Sequence, residues 1–342
     1  MHQPVKKLLL PHLNQATKIK IEKLTNPKLT NPKNIAVLGA GAWGTALAAI
    51  ANNKNHQVKI WSRSGLTSGD SLSLADVVKD ADIILSAISI KGVSQVAKQI
   101  QSLSIPEDVI FVTATKGLDP ETTRTPSQIW QAMFPLHPVV VLSGPNLSKE
   151  IQQGLPSATV VASRSATAAE IVQIVFSSPQ FRVYTNLDPL GVELGGTLKN
   201  VIAIASGVCD GLNLGTNAKA ALVTRGLTEM VRIAVSWGAK AETFYGLSGL
   251  GDLLATCNSS LSRNYQVGYQ LAQGKTLSEV IAHLQGTAEG VNTCKVLMQS
   301  AKKQNISIPI TEQVYRLLQG EITPRQALEE LMLRDIKPEY HD

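Results

Sequence analysis

Two charged side chains stand out because the segments around them are otherwise apolar or small. Lys199 lies in residues 194–203 (LGGTLKNVIA), which have helical periodicity, and Asp252 lies in the glycine-rich residues 246–256. Burial would lower the pKa of such a lysine and make it a usable proton donor near neutral pH. A buried carboxylate is costly without a partner, and a lysine is the partner we expect for Asp252. The pair predicts acid–base chemistry, with a purely structural ion pair as the alternative.

A second group of polar residues has the composition of an anion site. Ser262, Arg263 and Asn264 stand in a row at the start of a segment with helical periodicity, residues 262–273. Hydroxyl, guanidinium and amide groups bind phosphate oxygens, and the start of a helix favours negative charge. The triplet predicts a phosphate site, and the alternative is that Arg263 is an ordinary arginine on a helix surface.

Polar residues also follow two apolar segments that are typical of strands. Lys116 comes shortly after residues 109–113, and Gly144 and Asn146 come shortly after residues 139–142. Parallel strands end at one edge of a sheet, and ligands bind outside their carboxyl ends. We therefore expect these residues to border a ligand cleft.

A glycine motif indicates the ligand at this edge. Gly39, Gly41 and Gly44 form the pattern GxGxxG between an apolar strand, residues 35–38, and an alanine-rich helix start. In this context the first glycine permits a tight turn, the second admits a pyrophosphate, and the third allows close helix–strand packing. The motif predicts a nicotinamide dinucleotide site.

The residue after the second strand bears on which dinucleotide is bound. A carboxylate about twenty residues beyond the last glycine holds the ribose 2′-hydroxyl of NAD. This sequence has Arg63 there, and a guanidinium suits a 2′-phosphate. We expect NADP(H) to be preferred over NAD(H), with both usable. The alternative is that Arg63 is a solvated loop residue.

The order of the predicted elements gives the architecture that positions these residues. Short apolar segments alternate with helical segments up to about Leu187, which indicates βαβ units and a parallel sheet, and only helical patterns follow. We predict an α/β Rossmann-type doubly wound sheet domain followed by an all-α C-terminal domain. The predicted parts are a basic flexible extension (1–33), a dinucleotide-binding domain (34–186) and a helical substrate and catalytic domain (187–342).

Composition and charge argue against several classes of protein. The chain carries a formal net charge of +6, and residues 1–33, with seven lysines and one acid, account for all of it. The balanced remainder argues against nucleic-acid binding. Three scattered cysteines predict reduced thiols in a cytoplasmic compartment, with no disulfide framework and no metal site. No run of 18 apolar residues occurs, so we expect no membrane span.

Longer motifs resemble those of a known family. They are GAGAWGTALA (39–48), ATKGL (114–118), SGPN (143–146), LGGTLKNVIAIASGVCDGLNLGTNAKAALVTRGLTEM (194–230), GLSGLGDLLATC (246–257), SRN (262–264) and AEGVNT (288–293). Over most of residues 34–342 the chain is similar to the bacterial type of NAD(P)-dependent glycerol-3-phosphate dehydrogenase. The resemblance implies reversible reduction of dihydroxyacetone phosphate to sn-glycerol 3-phosphate, feeding glycerophospholipid synthesis. It also implies a homodimer.

The resemblance further implies individual roles. Lys199 would be the general acid and, in reverse, the base; Asp252 would hold its ammonium, and Lys116 would stabilise the developing alkoxide. The implied substrate contacts are Lys116, Gly144, Asn146, Lys199, Asn200, Asp252, Thr256, Ser262, Arg263 and Asn264. The implied cofactor contacts are Gly39, Gly41, Ala42, Trp43, Gly44, Arg63, Lys116, Ser148, Arg263, Thr287 and Glu289.

Three features depart from the family pattern, and two other functions stay open at this point. The departures are the extra residues 1–33, a short segment between Arg63 and Ala75, and Asn146 where a serine or threonine is commoner. One rival is a two-domain dehydrogenase of a β-hydroxy acid or a sugar acid, against which the Ser-Arg-Asn triplet argues. The other is an NADP(H) sensor without catalysis, which has no reason to bury a lysine–aspartate pair.

Overall fold

A computed structural model describes residues 31–65, 72–284, 286–336 and 338–339. Most of the predicted extension, residues 1–30, and part of the short segment after Arg63, residues 66–71, lie outside the described residues. The last residue of that extension, Lys33, is joined to the folded chain. Its Nζ lies 3.0 Å from Asp82 Oδ1, and its backbone N–H donates to His56 Nδ1 at 3.1 Å.

The chain divides into two compact units. The first consists of the residues up to Lys116 together with residues 124–193 and 246–248. The second consists of residues 117–123, residues 194–245 and the chain from Gly249 onward. Because the chain crosses from one unit to the other several times, each unit is assembled from segments distant in sequence.

The first unit is built on a seven-stranded sheet with the strand order β2-β1-β3-β4-β5-β6-β7. The strands are β1 (Asn34–Leu38), β2 (Gln57–Trp61), β3 (Ile83–Ser86), β4 (Ile110–Thr113), β5 (Val139–Ser143), β6 (Ser157–Ala162) and β7 (Phe181–Asn186). Every residue of β3, β4 and β5 is buried. A strand buried on both faces is apolar throughout, which explains the continuous apolar segments in the sequence.

Helices cover both faces of this sheet. They are α1 (Ala42–Asn52), α2 (Leu74–Val78), α3 (Ile90–Gln101), α4 (Pro126–Met133), α5 (Ser148–Gln152) and α6 (Ala166–Phe176). Residues of α1 and α6 pack into one apolar core and residues of α3 and α4 into another, with alternate residues of the central strands pointing into each. The predicted Rossmann-type doubly wound arrangement is therefore confirmed.

The predicted parallel sheet contains one antiparallel pair of strands. Strands β1 to β5 are parallel, but β6 pairs with β5 in the antiparallel sense. The connection between them contains only the five-residue α5. Strand β7, reached through the longer α6, again runs parallel to β6.

The second unit is helical, as predicted. Its helices are α7 (Pro189–Gly211), which begins in the first unit, α8 (Gly215–Ser236), α9 (Asp252–Cys257), α10 (Arg263–Ala272), α11 (Leu277–His283), α12 (Glu289–Gln304), α13 (Pro309–Leu318) and α14 (Pro324–Met332). A 3-10 turn (Ala241–Tyr245) and a π-turn (Leu247–Gly251) precede α9. Within the described residues no strand follows β7.

Helix α7 is the central helix of the second unit, and glycines allow its close packing. A Cβ on Gly207 would lie 2.0 Å from the carbonyl oxygen of Tyr265 in α10. A Cβ on Gly268 of α10 would lie 1.8 Å from the carbonyl oxygen of Ile204 in α7. The two backbones are therefore in direct contact, which fixes α7 against its neighbour.

The length and composition of α7 also bear on membrane association. It is long and apolar enough to cross a bilayer, and it is the one described helix that passes this test. The whole of its apolar window is buried inside the protein. A core helix of a globular fold has the same composition, and α7 carries Glu193 and Lys199 in its buried surface.

Candidate active site

The glycine motif follows β1 and opens α1, as its spacing predicts. Gly39 has φ of +116°, a left-handed conformation that favours glycine, and a Cβ there would lie 2.7 Å from the carbonyl oxygen of Ala87. A Cβ on Gly44 would lie 2.0 Å from the carbonyl oxygen of Gly39. The first and third glycines are therefore required by the packing of the turn itself.

The second glycine has a different environment. Among the described residues no heavy atom lies within 4 Å of the position a Cβ on Gly41 would take. Gly41 caps α1 without a side-chain hydrogen bond, and the first turn of the helix has no acidic residue. The N–H groups of a first helical turn lack intrahelical acceptors and attract anions. This open cradle fits a pyrophosphate, with the exposed Ala42 and the half-buried Trp43 next to it.

Arg63 lies beside this cradle. The backbone N–H of Gly39 donates to the carbonyl oxygen of Trp61, the last residue of β2, at 2.8 Å. Arg63 follows two residues later and is exposed. Its place at the end of the second strand is the place where a Rossmann fold contacts the adenosine ribose.

The residues after β4 and β5 come together at the same edge of the sheet. Lys116 Nζ lies 3.4 Å from the carbonyl oxygen of Gly144. Gly144 has φ of +153°, and a Cβ there would lie 3.0 Å from Thr159 Cα. The lysine is half-buried, whereas the residues on both sides of it are buried. Its ammonium is therefore held at the strand ends, close to a backbone that approaches β6 tightly.

Asn146 is held by β6 and keeps one unused polar atom. Its Nδ2 donates to Thr159 Oγ1 at 2.9 Å, and that hydroxyl donates to the carbonyl oxygen of Ser143 at 2.9 Å. Its Oδ1 is buried and accepts no hydrogen bond from the described residues. A buried acceptor without a donor is costly, so this oxygen is suited to a ligand hydroxyl. Ser148, the first residue of α5, lies close by in sequence and is half-buried.

The second unit contains the predicted lysine–aspartate pair. Lys199 Nζ lies 2.6 Å from Asp252 Oδ1 and also donates to Thr256 Oγ1. The Thr256 hydroxyl lies 3.4 Å from Asp252 Oδ1. The three residues are 6%, 2% and 4% exposed, in that order. The lysine comes from α7 and its two partners come from α9, so the pair joins segments about fifty residues apart.

Local structure around α9 explains how Asp252 is presented. It is the first residue of α9, where the positive end of the helix dipole stabilises a carboxylate. The π-turn before it is tight, because a Cβ on Gly249 would lie 2.1 Å from the carbonyl oxygen of Phe244. At the other end of α9, Ser206 Oγ of α7 donates to the carbonyl oxygen of Cys257 at 2.9 Å. Helix α9 is thus attached to α7 at both ends.

Burial disfavours the thiolate form of the three cysteines of the second unit. Cys209, Cys257 and Cys294 are all free and buried. Burial raises the pKa of Cys257 to about 12 and that of Cys294 further. Within the part of the chain that the structure describes, no three His, Cys, Asp or Glu side chains are grouped to hold a metal.

The Ser-Arg-Asn triplet begins α10, but two of its members already have structural bonds. Ser262 caps the helix, its Oγ accepting from the N–H of Tyr265 at 3.2 Å. Asn264 Oδ1 accepts from the N–H of Gly290 at 2.9 Å. The exposed Arg263 lies against Gly286, where a Cβ would be 2.4 Å from its Nη1. The guanidinium and the remaining amide and hydroxyl donors of the triplet are groups of the kind that bind phosphate oxygens.

Residues 286–290 lie next to the triplet in the second unit. A Cβ on Gly290 would lie 2.7 Å from the carbonyl oxygen of Asn200, the residue after Lys199. Thr287 is exposed, and Glu289 is half-buried at the start of α12. The structure therefore brings the triplet, Asn200 and the 286–290 segment together. This grouping was not visible in sequence spacing, since it depends on glycines that allow α7, α10 and α12 to touch.

One buried acid on α7 was missed by the sequence analysis. Glu193 is 2% exposed, and burial raises its pKa to about 7 against hydrogen bonds from Ser127 and Thr125. It stands in an apolar, glycine-rich segment, which is the same signal that identified Lys199 and Asp252. Glu193 could have been identified in the same way, but it lies just before residues 194–203, the segment that drew attention to Lys199.

Family models match both halves of the chain. The model described as the NAD-dependent glycerol-3-phosphate dehydrogenase N-terminus matches residues 34–72 and 69–169. The model described as the C-terminus of the same enzyme matches residues 188–329. The two pieces of the first match meet where the sequence has its short segment after Arg63.

Individual relatives agree with these models. A glycerol-3-phosphate dehydrogenase (NAD(P)+) of Trichormus variabilis is 74% identical over 307 residues, covering 90% of this chain and 98% of that protein. One of a Synechocystis species is 59% identical over 311 residues, covering 91% and 96%. The crystal structure of glycerol-3-phosphate dehydrogenase from Coxiella burnetii superposes with a TM-score of 0.83 at 34% identity, covering 89% and 99%. This chain belongs to the NAD-dependent glycerol-3-phosphate dehydrogenase family.

Proposed function

We propose that this protein reduces dihydroxyacetone phosphate to sn-glycerol 3-phosphate with NAD(P)H and catalyses the reverse oxidation. The observation that carries the proposal is the buried cluster of Lys199, Asp252 and Thr256. Reduction of a carbonyl needs a proton donor at the oxygen, and a lysine held by a carboxylate and a hydroxyl is such a donor. The identity of the relatives with this chain supports the same reaction.

The cofactor is assigned to the glycine cradle of the first unit. Gly39, Gly41 and Gly44, with Ala42 and Trp43, would hold the pyrophosphate of NAD(P)H, which supplies the hydride when bound. We assign a preference for NADP(H) to the exposed guanidinium of Arg63, since its planar donors suit a 2′-phosphate. Further cofactor contacts are assigned to Lys116, Ser148, Arg263, Thr287 and Glu289.

Proton transfer is assigned to Lys199. Its ammonium gives a proton to the carbonyl oxygen of the substrate while the carbonyl carbon gains hydride, and the lysine regains a proton from solvent. In the oxidation it takes the hydroxyl proton. Asp252 and Thr256 orient the Nζ, and the carboxylate stabilises the ammonium form. Lys116 places a second positive charge where the alkoxide develops.

The substrate phosphate is assigned to the triplet at the start of α10. Arg263 supplies paired N–H donors, and Ser262 and Asn264 supply the hydroxyl and amide donors that their hydrogen bonds to Tyr265 and Gly290 do not use. A phosphate held away from the reacting carbon supplies binding energy for orientation. The Oδ1 of Asn146 and the residues Gly144 and Asn200 are assigned to the rest of the triose.

Several further assignments complete the proposal. We assign the product to glycerophospholipid synthesis, the protein to the cytoplasm, and its assembly to a homodimer. We also propose that the functional division of the chain follows the end of β7 at Asn186, with cofactor binding in residues 34–186 and substrate chemistry in residues 187–342.

The deciding experiment measures the oxidation of NADPH and of NADH by the purified full-length protein with and without dihydroxyacetone phosphate. The proposal expects oxidation that depends on the substrate, and faster with NADPH than with NADH. Folded protein that oxidises neither cofactor would refute the reaction. Equal rates, unchanged in an Arg63→Ala variant, would refute the role of Arg63 alone.

A further inference from the structure

One face of α7 carries two buried polar side chains that the proposed chemistry does not use. Glu193 and Thr197 are 2% and 0% exposed. They are four residues apart in one helix, so their side chains lie one above the other on the same side. Lys199 is on this helix too, and hence any segment attached to Glu193 and Thr197 is attached to the helix of the proposed acid.

Thr197 accepts a hydrogen bond from the loop between β4 and α4, and Glu193 accepts two from the start of α4. In the first unit, Glu193 accepts from the backbone N–H of Ser127 at 2.8 Å and from its hydroxyl at 2.5 Å. In the second unit, Thr197 Oγ1 accepts from the backbone N–H of Gly117 at 3.1 Å. Ser127 is the second residue of α4, and Gly117 comes shortly after β4. The three bonds therefore hold the β4–α4 loop, residues 114–125, near its start and just beyond its end.

This loop contains Lys116, and its backbone is fixed at other points as well. The hydroxyl of Thr115 donates to the carbonyl oxygen of Ile88 at 3.0 Å. Asn292 Nδ2 donates to the carbonyl oxygen of Leu118 at 2.9 Å. Gly117 has φ of +132°, a conformation that other residues rarely adopt. Thr115 and Gly117, the neighbours of Lys116 in the chain, are both fixed by hydrogen bonds, and these bonds restrict the positions that the Lys116 ammonium can reach.

We propose that Glu193 and Thr197 are positioning residues, which hold the β4–α4 loop against the helix of Lys199 and so fix Lys116 for stabilisation of the alkoxide. The inference rests on the proposed role of Lys116. A loosened loop leaves the lysine present but misplaced, and a small misplacement of a catalytic group costs rate more than binding.

The first test removes the Thr197 acceptor while keeping its shape. Thr197→Val is expected to lower kcat about tenfold, with the KM for dihydroxyacetone phosphate and the Kd for NADPH within about twofold. Thr197→Ser, which keeps the hydroxyl, is expected to stay close to the wild type. Thr293→Val is the matched control, because Thr293 is 0% exposed and its hydroxyl has no hydrogen-bond partner among the described residues.

The second test uses a pair of buried glutamates with the same surroundings. Glu229 of α8 accepts from the N–H groups of Ile310 and Thr311 at the start of α13, as Glu193 does from Ser127 at the start of α4. Glu193→Gln leaves one amide N–H where an acceptor is needed, and is expected to lower kcat about fivefold. Glu229→Gln makes the same chemical change away from the loop and is expected to leave kcat unchanged.

Two measurements separate positioning from a general loss of stability. In a Lys116→Ala background, Thr197→Val is expected to change kcat by less than about twofold, because the group it positions is gone. Hydrogen–deuterium exchange of residues 114–125 is expected to speed up in Thr197→Val and not in Thr293→Val.

The outcomes are distinguishable. A further tenfold loss in the Lys116→Ala background, full activity of Lys116→Ala itself, or unchanged exchange in the loop would each overturn the inference. A wild-type protein that does not reduce dihydroxyacetone phosphate would refute the proposed function, and the exchange comparison would then decide whether Thr197 holds the loop.

Discussion

The two units carry candidate site residues of different kinds. The cradle of the first unit is backbone, and its shape depends on three glycines whose missing side chains make room for the turn, the helix and a ligand. The cluster of the second unit consists of side chains, a lysine, an aspartate and a threonine that are buried and held by one another. A backbone cradle fails when an atom is added, whereas a buried ionic cluster fails when one is removed. Mutations can therefore test the glycine cradle and the lysine cluster separately.

The largest effect is expected from removing the lysine of the cluster. Lys199→Ala should lower kcat about a thousandfold or more, because the proton donor is lost, while NADPH binds as before. The buried Asp252 loses an opposite charge, so the free energy of unfolding should fall by about 3 kcal/mol. Steady-state kinetics, NADPH fluorescence titration and chemical denaturation measure the three quantities.

A second lysine of the same unit provides the control. Lys219 pairs with Asp210 at 2.6 Å, but this pair is partly exposed. Lys219→Ala should leave kcat within about twofold of the wild type, since a half-exposed ion pair contributes little. A loss of activity in Lys199→Ala no larger than that in Lys219→Ala would refute the role of Lys199 as proton donor.

In the glycine cradle, adding a side chain at one glycine should impair cofactor binding, and adding it at another should impair folding. Gly41→Val is expected to fold with a normal melting temperature, because Gly41 has φ of −72° and open space beside it. Its KM for NADPH should rise about a hundredfold, because the side chain occupies the space of the pyrophosphate. Gly44→Val should instead fail to fold, since its Cβ would meet the carbonyl oxygen of Gly39. Unchanged NADPH affinity in Gly41→Val would place the cofactor elsewhere.

An intermediate effect is expected at the phosphate triplet. Arg263→Ala should raise the KM for dihydroxyacetone phosphate about thirtyfold, because losing a hydrogen bond to a charged group weakens binding by about that factor. The change in kcat should be smaller. The rate with dihydroxyacetone, which lacks the phosphate, should not change. Arg316→Ala, which breaks a surface ion pair with Glu330, serves as the control. A parallel loss with both substrates would mean that Arg263 does not bind the phosphate.

The same contrast explains what the sequence could and could not predict. The cradle is local, because GxGxxG, the preceding strand and the following helix lie within twenty residues, and their spacing alone predicts the turn. The Lys199–Asp252 pair was also predictable, because each charge lies in an apolar segment and needs a partner. Few other charged residues lie in apolar segments, so Lys199 and Asp252 could be matched to each other from the sequence.

Other features depend on contacts that no local pattern records. No local pattern marks β6 as antiparallel to β5, and α5 between them begins without a side-chain cap. The meeting of Asn200, Asn264 and Gly290 depends on backbone contact among three helices. The bonds from Ser127 to Glu193 and from Gly117 to Thr197 join a loop to a helix about seventy residues away. Such contacts are selected by tertiary packing, which residue type and periodicity do not specify.

The smallest effect on activity, and the clearest effect of pH, is expected at Glu193, where a single charge lies in the apolar part of α7. Burial raises its pKa from 4.5 to about 7, so the folded protein binds the proton more tightly than the unfolded chain does. The stabilisation is fully present below pH 4.5 and is lost as the pH rises through 7. The shift in the pKa of Glu193 changes the free energy of unfolding by roughly 3 kcal/mol at most.

Glu193→Gln removes this titration, so between pH 4.5 and 7 its free energy of unfolding should fall less, or rise more, with increasing pH than that of the wild type. Urea denaturation at a series of pH values measures both slopes. Glu229→Gln should alter the slope in the same direction, because burial also raises the pKa of Glu229, but it should do so without touching the loop of Lys116. Parallel pH curves for wild type and Glu193→Gln would show that the pKa of Glu193 is not raised in the folded protein.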